Sequence, residues 1–160
     1  MVLKILQWNA NSLVSHLHEF KHLLDTLDSP PDIVCIQETR LKPTISPIIK
    51  GYTLLSRDPQ GRERGVAIFI RDEITYTNVT YHDNIEGISV QVETISGPLT
   101  IINFYVSPSI IFDESLFQDV FESENVFVCG DCNAKSTVRG SRKSDRRGIY
   151  IENVLQTTDL

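Results

Sequence analysis

Residues 3–36 read as strand, helix, strand, and no other feature of the sequence restricts the chain as much. Leu3 to Trp8 is a run rich in apolar residues that reads as a first strand, closed by Asn9-Ala-Asn11. Leu13, Leu17, Phe20, Leu24 and Leu27 then recur along one face of a helix. Ser12 or Ser15 can cap its start. Asp28-Ser-Pro-Pro31 ends it, because proline cannot continue a helix. Ile33-Val-Cys-Ile36 is a short continuous apolar run, the pattern of a buried strand. Two strands joined through a helix pair in parallel by a crossover, so the chain starts as an α/β unit.

The rest of the chain is rich in strands. Residues 40–50 carry Pro43 and Pro47 and read as a loop. Tyr52–Ser56, Val66–Ile70 and Thr75–Tyr81 are β-branched or aromatic runs separated by Gly, Pro and Asp. Ile88, Val90 and Val92 alternate with Ser89, Gln91 and Glu93, which predicts a strand with one wet face. Gly97-Pro98 predicts a turn, and Leu99–Val106 and Val126–Cys129 two more strands. Asp113–Phe121 predicts a short helix, residues 131–147 a loop, and Gly148–Gln156 a final helix. No linker, tandem repeat or low-complexity segment interrupts the 160 residues, so one domain dominated by sheet is the economical reading.

Composition excludes several classes. The content, 41% hydrophobic and 22% charged, is that of a globular protein rather than a disordered or fibrous one. No apolar run approaches the roughly 20 residues of a membrane helix. The apolar start is too short for a secretory signal. The expectation is an intracellular protein with no membrane partner. Cys35, Cys129 and Cys132 fit a reducing compartment. Cys129 and Cys132 form a lone CxxC, a redox pair or half a zinc site on the sharp reading, a buried strand Cys and a loop Cys on the plain one. No second CxxC or CxxH completes four ligands. The net charge of −6 opposes general nucleic-acid binding, but the charge is unevenly spread. Lys135, Arg139, Arg142, Lys143, Arg146 and Arg147 crowd into thirteen residues with a single acid, Asp145. Such a run is either a solvated loop or a phosphate-binding surface.

Polar clusters follow the apolar strands. Asn9 and Asn11 come after the first, Gln37-Glu-Thr39 after the second, Tyr105 near the end of the Leu99 strand, and Asp131 and Asn133 after Val126–Cys129. Ligand sites in α/β sheets gather at such strand ends.

Leu6-Gln-Trp-Asn9, Ile36-Gln-Glu-Thr39, Gly65-Val-Ala-Ile-Phe-Ile70, Asn103-Phe-Tyr-Val-Ser-Pro108 and Gly130-Asp-Cys-Asn133 stand in the order found in the endonuclease/exonuclease/phosphatase superfamily. They resemble most the endonuclease domain of jockey-type non-LTR retrotransposons, as does Asp145-Arg-Arg-Gly148 with Leu155 after it. The resemblance implies two packed β-sheets flanked by helices, a deoxyribonuclease I-like α+β sandwich. It also implies Mg²⁺-dependent phosphodiester hydrolysis, with Mn²⁺ as a substitute ion and no small-molecule cofactor. The substrate would be DNA, nicked for a fused or separate reverse transcriptase, and the parent element would act in the nucleus. Glu38 matches the metal ligand. Asn9 matches the neutral partner at metal and phosphate, and Asp131 the residue that orients or deprotonates water. Asn133 matches the group holding a phosphoryl oxygen, and Tyr105 the tyrosine at the phosphate or leaving group. Asn103 and Asn11 are supporting residues on this reading, and the six cations of 135–147 contact nucleic acid. Trp8 reads as core.

The sequence departs from that pattern in places. Cys132 stands where an aromatic is usual, and Lys135 where His is frequent. Of the four histidines, His16, His18, His22 and His82, none is placed like the family's essential His, which lies in a Ser-Asp-His motif near the domain's C-terminus. The expectation is that residues 1–160 are the N-terminal two-thirds of such a domain, lacking C-terminal strands, and that activity is impaired or absent. Poor solubility or dependence on a partner would follow from exposed sheet edges. The competing readings are a non-catalytic remnant and a phosphatase or RNA nuclease of the same superfamily.

Overall fold

The computed structural model describes residues 2–59, 64–82, 85–110 and 125–157. In chain order these form β1 (Ile5–Asn9), a 3₁₀ turn (Val14–His16), α1 (Leu17–Thr26), β2 (Ile33–Gln37), β3 (Tyr52–Arg57) and β4 (Val66–Arg71). Then come β5 (Tyr76–His82), β6 (Glu86–Thr94), β7 (Gly97–Tyr105), β8 (Val126–Asp131) and α2 (Arg146–Thr157). The helix expected over Asp113–Phe121 lies outside the described residues. Among the described residues no helix is long and apolar enough to cross a membrane.

The strands build two four-stranded mixed sheets, ordered β1-β2-β4-β3 and β5-β6-β7-β8. The crossover expected from the first 36 residues is present: β1 pairs in parallel with β2, Ile5 opposite Ile33. A second parallel pair, β7 with β8, closes the other sheet. All remaining pairs are antiparallel.

Alternation along each strand assigns the layers. Ile33 and Cys35 of β2 join Ile68 and Ile70 of β4 in one apolar cluster with Ile88, Val90, Val92 and Ile101 from the second sheet. The intervening Val34, Ile36 and Phe69 face away, against Phe20 and Leu24 of α1. This is why Ile33–Ile36 is apolar without interruption: both faces of β2 are covered. On the far side, Ile102, Phe104 and Val106 meet Tyr150 of α2. The order through the molecule is helix, sheet, sheet, helix, the flanked sandwich that the resemblance implied.

Local details depart from the sequence reading. The hairpin turn between β6 and β7 is Ile95-Ser96, not Gly97-Pro98, since Thr94 pairs with Gly97. The Thr94 hydroxyl donates to the Gly97 carbonyl at 2.6 Å and tightens the turn. Neither Ser12 nor Ser15 caps α1, because their hydroxyls bond each other at 2.8 Å. Leu27 is exposed because α1 stops at Thr26 and the chain turns extended at Leu27.

Candidate active site

The parallel pairing of β1 and β2 continues past both strands. The Ala10, Ser12 and Leu13 amides donate to the Gln37, Glu38 and Thr39 carbonyls at 2.8–2.9 Å. To do this, Asn11 (φ 42°), Ser12 (φ 99°), Glu38 (φ 52°) and Arg40 (φ 49°) take left-handed backbone. Such conformations are disfavoured for residues with a Cβ and persist where the surrounding structure imposes them, often at functional sites. The result sets the side chains of Asn9 and Glu38 beside each other at one rim.

β8 brings Asp131 to the same rim. The Asn9 amide nitrogen donates to Glu38 Oε1 at 3.1 Å and to Asp131 Oδ2 at 2.9 Å. Its oxygen accepts the Asn11 amide at 3.1 Å, which fixes which way the carboxamide points. One neutral amide therefore joins two carboxylates from opposite sheets, and the carboxylates lie no further apart than two hydrogen-bond lengths. Asp131 Oδ1 accepts the Asn133 amide at 2.8 Å, an Asx turn. Asn133 is left-handed (φ 48°), and its side-chain nitrogen donates to the Val106 carbonyl at 3.1 Å. Gln7 closes the seam between the sheets, donating to the Gly130 carbonyl at 3.0 Å. Gly130 cannot carry a side chain, because a Cβ there would lie 2.6 Å from the Phe104 ring.

Tyr105 ends β7 opposite Asp131, at the rim, with its ring within the core between the sheets. Burial pushes its phenol above the usual range, and the Glu38 charge adds to this; a hydrogen bond with Asn133 pulls the other way. The hydroxyl is a proton donor at every ordinary pH. Asn103, one alternation earlier, is wholly buried and does not reach the rim. Its amide nitrogen donates to the Ile36 and Ala67 carbonyls at 3.0 and 2.8 Å, and its oxygen accepts Gln37 Nε2 at 2.6 Å. Asn103 thus pins β7 to β2 and β4 directly beneath Glu38.

Two arginines that sequence reasoning passed over belong to the site. Arg40 donates to Asn11 Oδ1 at 2.6 Å and lies 3.5 Å from Glu38 Oε2, and Arg64 lies 3.7 Å from the same oxygen. The Thr-Arg after Glu38 and the Arg before Gly65 adjoin recognisable motifs, but their convergence depends on β2 and β4 pairing.

The basic segment divides. Lys135, Arg139, Arg142, Lys143 and Arg146 are exposed. Their loop is closed at its base by the Asp145 amide donating to the Lys135 carbonyl at 2.9 Å, and across its middle by the Ser141 amide donating to the Ser136 carbonyl at 2.9 Å. Arg147 departs from the expectation of a nucleic-acid contact. It is buried, and its guanidinium donates to the carbonyls of Cys132 (3.0 Å), Ser107 (3.1 Å) and Ile110. The Asp145-Arg-Arg-Gly148 motif is largely a joint: Asp145 caps α2 by accepting the Gly148 amide at 2.8 Å. Gly148 has no room for a Cβ, which would lie 1.9 Å from the Lys135 carbonyl oxygen.

The CxxC pair separates too. Cys129 faces the core between the sheets and shares a hydrogen bond with Cys35, while Cys132 packs on the outer face of the second sheet. Burial and the Asp131 charge push the Cys132 thiol up to about 11. The plain reading of the two cysteines is the one the fold supports.

Among the described residues no three His, Cys, Asp or Glu side chains form a group that could hold a metal. The rim offers two carboxylates bridged by a carboxamide. These are hard oxygen donors, in the small number that suits a divalent ion such as Mg²⁺ that keeps most of its waters.

A sandwich of two mixed sheets, a helix on each outer face and a polar rim at the strand ends define the deoxyribonuclease I-like fold. Residues 6–157 match the Endonuclease/Exonuclease/phosphatase family, and the chain belongs to it. Over its whole length it is 26% identical to the probable RNA-directed DNA polymerase from transposon X-element of Drosophila melanogaster. Over 98% of its length it is 30% identical to the corresponding protein from transposon BS of the same fly. It spans only 18% of each of those proteins. The endonuclease domain of TRAS1, a telomere-specific non-LTR retrotransposon, superposes with a TM-score of 0.64 at 22% identity, over 96% of this chain and 71% of that one.

Proposed function

We propose that this chain carries the N-terminal part of a Mg²⁺-dependent endonuclease that nicks DNA for a retrotransposon, acting in the nucleus with a reverse transcriptase. The observation that carries the reading is the Asn9 amide joining Glu38 to Asp131. Glu38 would hold the ion, whose chemistry when bound is to neutralise charge on the phosphate and on the departing oxygen. Asp131, oriented by Asn9 and by the Asn133 amide, holds an attacking water by accepting its proton. The Tyr105 hydroxyl, which accepts from the Asn133 carboxamide, donates to a phosphoryl oxygen as its charge grows, and Asn133 acts on the phosphate through it. The basic loop after Asn133 tracks the backbone of the duplex.

Residues 1–160 are on this reading about two-thirds of the domain, without the Ser-Asp-His segment. Its support is the 71% of the TRAS1 domain that the chain spans, and the outer edges of β1 and β8, which have no neighbouring strand among the described residues. A positioned acid/base group typically contributes about 10²–10⁴-fold, so nicking by this chain is expected to be slower than by a longer form by that order. The test is conversion of supercoiled plasmid to open circle in Mg²⁺. Slow nicking that stops on chelation and is lost in Glu38→Gln and Asp131→Ala is the expected result. Nicking that survives both substitutions, or none by a form extended to the full domain, sinks the proposal. Equal cleavage of single-stranded RNA, or release of phosphate from monoesters, would instead favour the RNA nuclease or phosphatase reading.

A further inference from the structure

Among the described residues Glu38 Oε2 has two cationic neighbours, Arg40 and Arg64, and the second is held in place by an arrangement that would otherwise be unfavourable. Arg64 precedes β4 in the chain, and its guanidinium reaches Glu38 at 3.7 Å while remaining 43% exposed. Its backbone is clamped from both sides. The Arg40 amide donates to the Arg64 carbonyl at 2.8 Å and the Thr39 amide to the Gly65 carbonyl at 3.1 Å. From the other sheet, Glu86 Oε2 accepts the amides of Arg64 and Gly65 at 2.7 and 2.8 Å. Glu86 is only 1% exposed. A buried carboxylate is strongly unfavourable unless charge-assisted hydrogen bonds compensate it. Here those bonds hold two successive amides at the approach to the rim. Gly65 completes the clamp: it is left-handed at φ 77°, and a Cβ would stand 2.6 Å from Thr39 Oγ1.

The charge balance says what a fixed, half-exposed arginine does there. Glu38 and Asp131 are two negative charges within reach of one amide, and they repel a phosphodiester. A divalent ion cancels them, and Arg40 and Arg64 then make the rim positive. A guanidinium on Glu38 Oε2 and a metal on the same carboxylate compete, since each removes the charge the other needs. The planar, exposed guanidinium suits a phosphate oxygen as well as it suits a carboxylate.

We propose that Arg64, positioned by Glu86, exchanges partners: it balances Glu38 until a divalent ion takes that carboxylate, and then binds a phosphate of the DNA strand beside the scissile bond. The inference rests on the proposed metal and nuclease reading. It makes metal entry and strand binding linked through one side chain, so that removing the side chain moves the two affinities in opposite directions.

The experiment uses the full chain and four variants, Arg64→Gln, Arg64→Lys, Glu86→Gln and Glu38→Gln, with circular dichroism establishing that each is folded. Mn²⁺ affinity of the protein alone is read by electron paramagnetic resonance. Affinity for a fluorescein-labelled duplex in Ca²⁺ is read by anisotropy over a range of salt. Arg64→Gln is expected to tighten Mn²⁺ by about 2–5-fold, the size of a half-exposed ion pair. It should also weaken the duplex several-fold and lower the salt slope by about one. Arg64→Lys should restore part of both effects. Glu86→Gln should weaken the duplex in the same direction without touching the rim. Mn²⁺ or duplex affinity unchanged in Arg64→Gln overturns the proposal. If Glu38→Gln leaves Mn²⁺ binding unaltered, the metal reading itself has failed and the inference falls with it.

Discussion

At the scale of residues, the site is made by polar side chains whose partners lie far along the sequence. Asn103 shows the distinction between a residue that acts and one that holds. Its three hydrogen bonds are all to buried groups of β2 and β4. Asn103→Ala removes all three bonds and leaves the buried Gln37 amide short of an acceptor, and a single unsatisfied buried group costs about 1–3 kcal/mol. The expected loss is about 3 kcal/mol in urea unfolding, with an unchanged denaturant slope. A loss below about 1 kcal/mol would mean that water or a shifted side chain replaces the amide. Sequence reasoning places Asn103 among the supporting residues but does not tell rim from interior. The difference lies in whether an alternating residue falls short of the strand end or reaches it. Arg64 escapes notice for a related reason: a cation beside a glycine has no local signature of function.

At the scale of elements, α2 is anchored by its first turn. Asp145 caps it, Arg147 ties it to three carbonyls, and Gly148 lets it touch the Lys135 carbonyl. The Gly148 amide holds the Asp145 carboxyl below the usual carboxylate range, with the Lys135 end of the loop adding to this. A carboxyl with a lowered folded value binds its proton more weakly folded than unfolded. Its contribution is therefore present above the ordinary Asp range and lost as pH falls through the lowered value. Asp145→Ala should cost about 1 kcal/mol at neutral pH. The gap between variant and parent should close in acid, as measured by thermal unfolding from about pH 7 down to about pH 3. A gap that stays constant with pH would remove the charge from the explanation. The final helix is legible as Gly148–Gln156, although it starts at Arg146, two residues inside the stretch that reads as loop. The burial of Arg147 is not, because a cation run looks the same whether each member faces solvent or carbonyls.

At the scale of the whole molecule, a chain of net charge −6 carries four exposed cations, Lys135, Arg139, Arg142 and Lys143, on a loop closed by its own backbone bonds, and a fifth, Arg146, at the start of α2. Replacing Arg139, Arg142 and Lys143 by Gln should leave folding intact. It should lower the salt slope of duplex binding by up to about three, near one for each phosphate no longer neutralised. An unchanged slope would assign the loop to solvent alone. The sequence by itself determined an α/β domain dominated by sheet, the order of the elements and the residue types at the strand ends, while the two packed sheets were implied only by the resemblance to the superfamily. Apolar periodicity and strand-ending polar clusters are local patterns, and they survive without knowledge of any partner. Only the tertiary structure decided that Asn9 lies between Glu38 and Asp131, that Arg40 and Arg64 converge on Glu38, and that Arg147 is a strap. Those facts depend on the registers β1 with β2, β2 with β4 and β7 with β8, and on the packing of one sheet over the other. Register and packing are set by the sum of many apolar interactions across the core, which no short stretch of sequence contains.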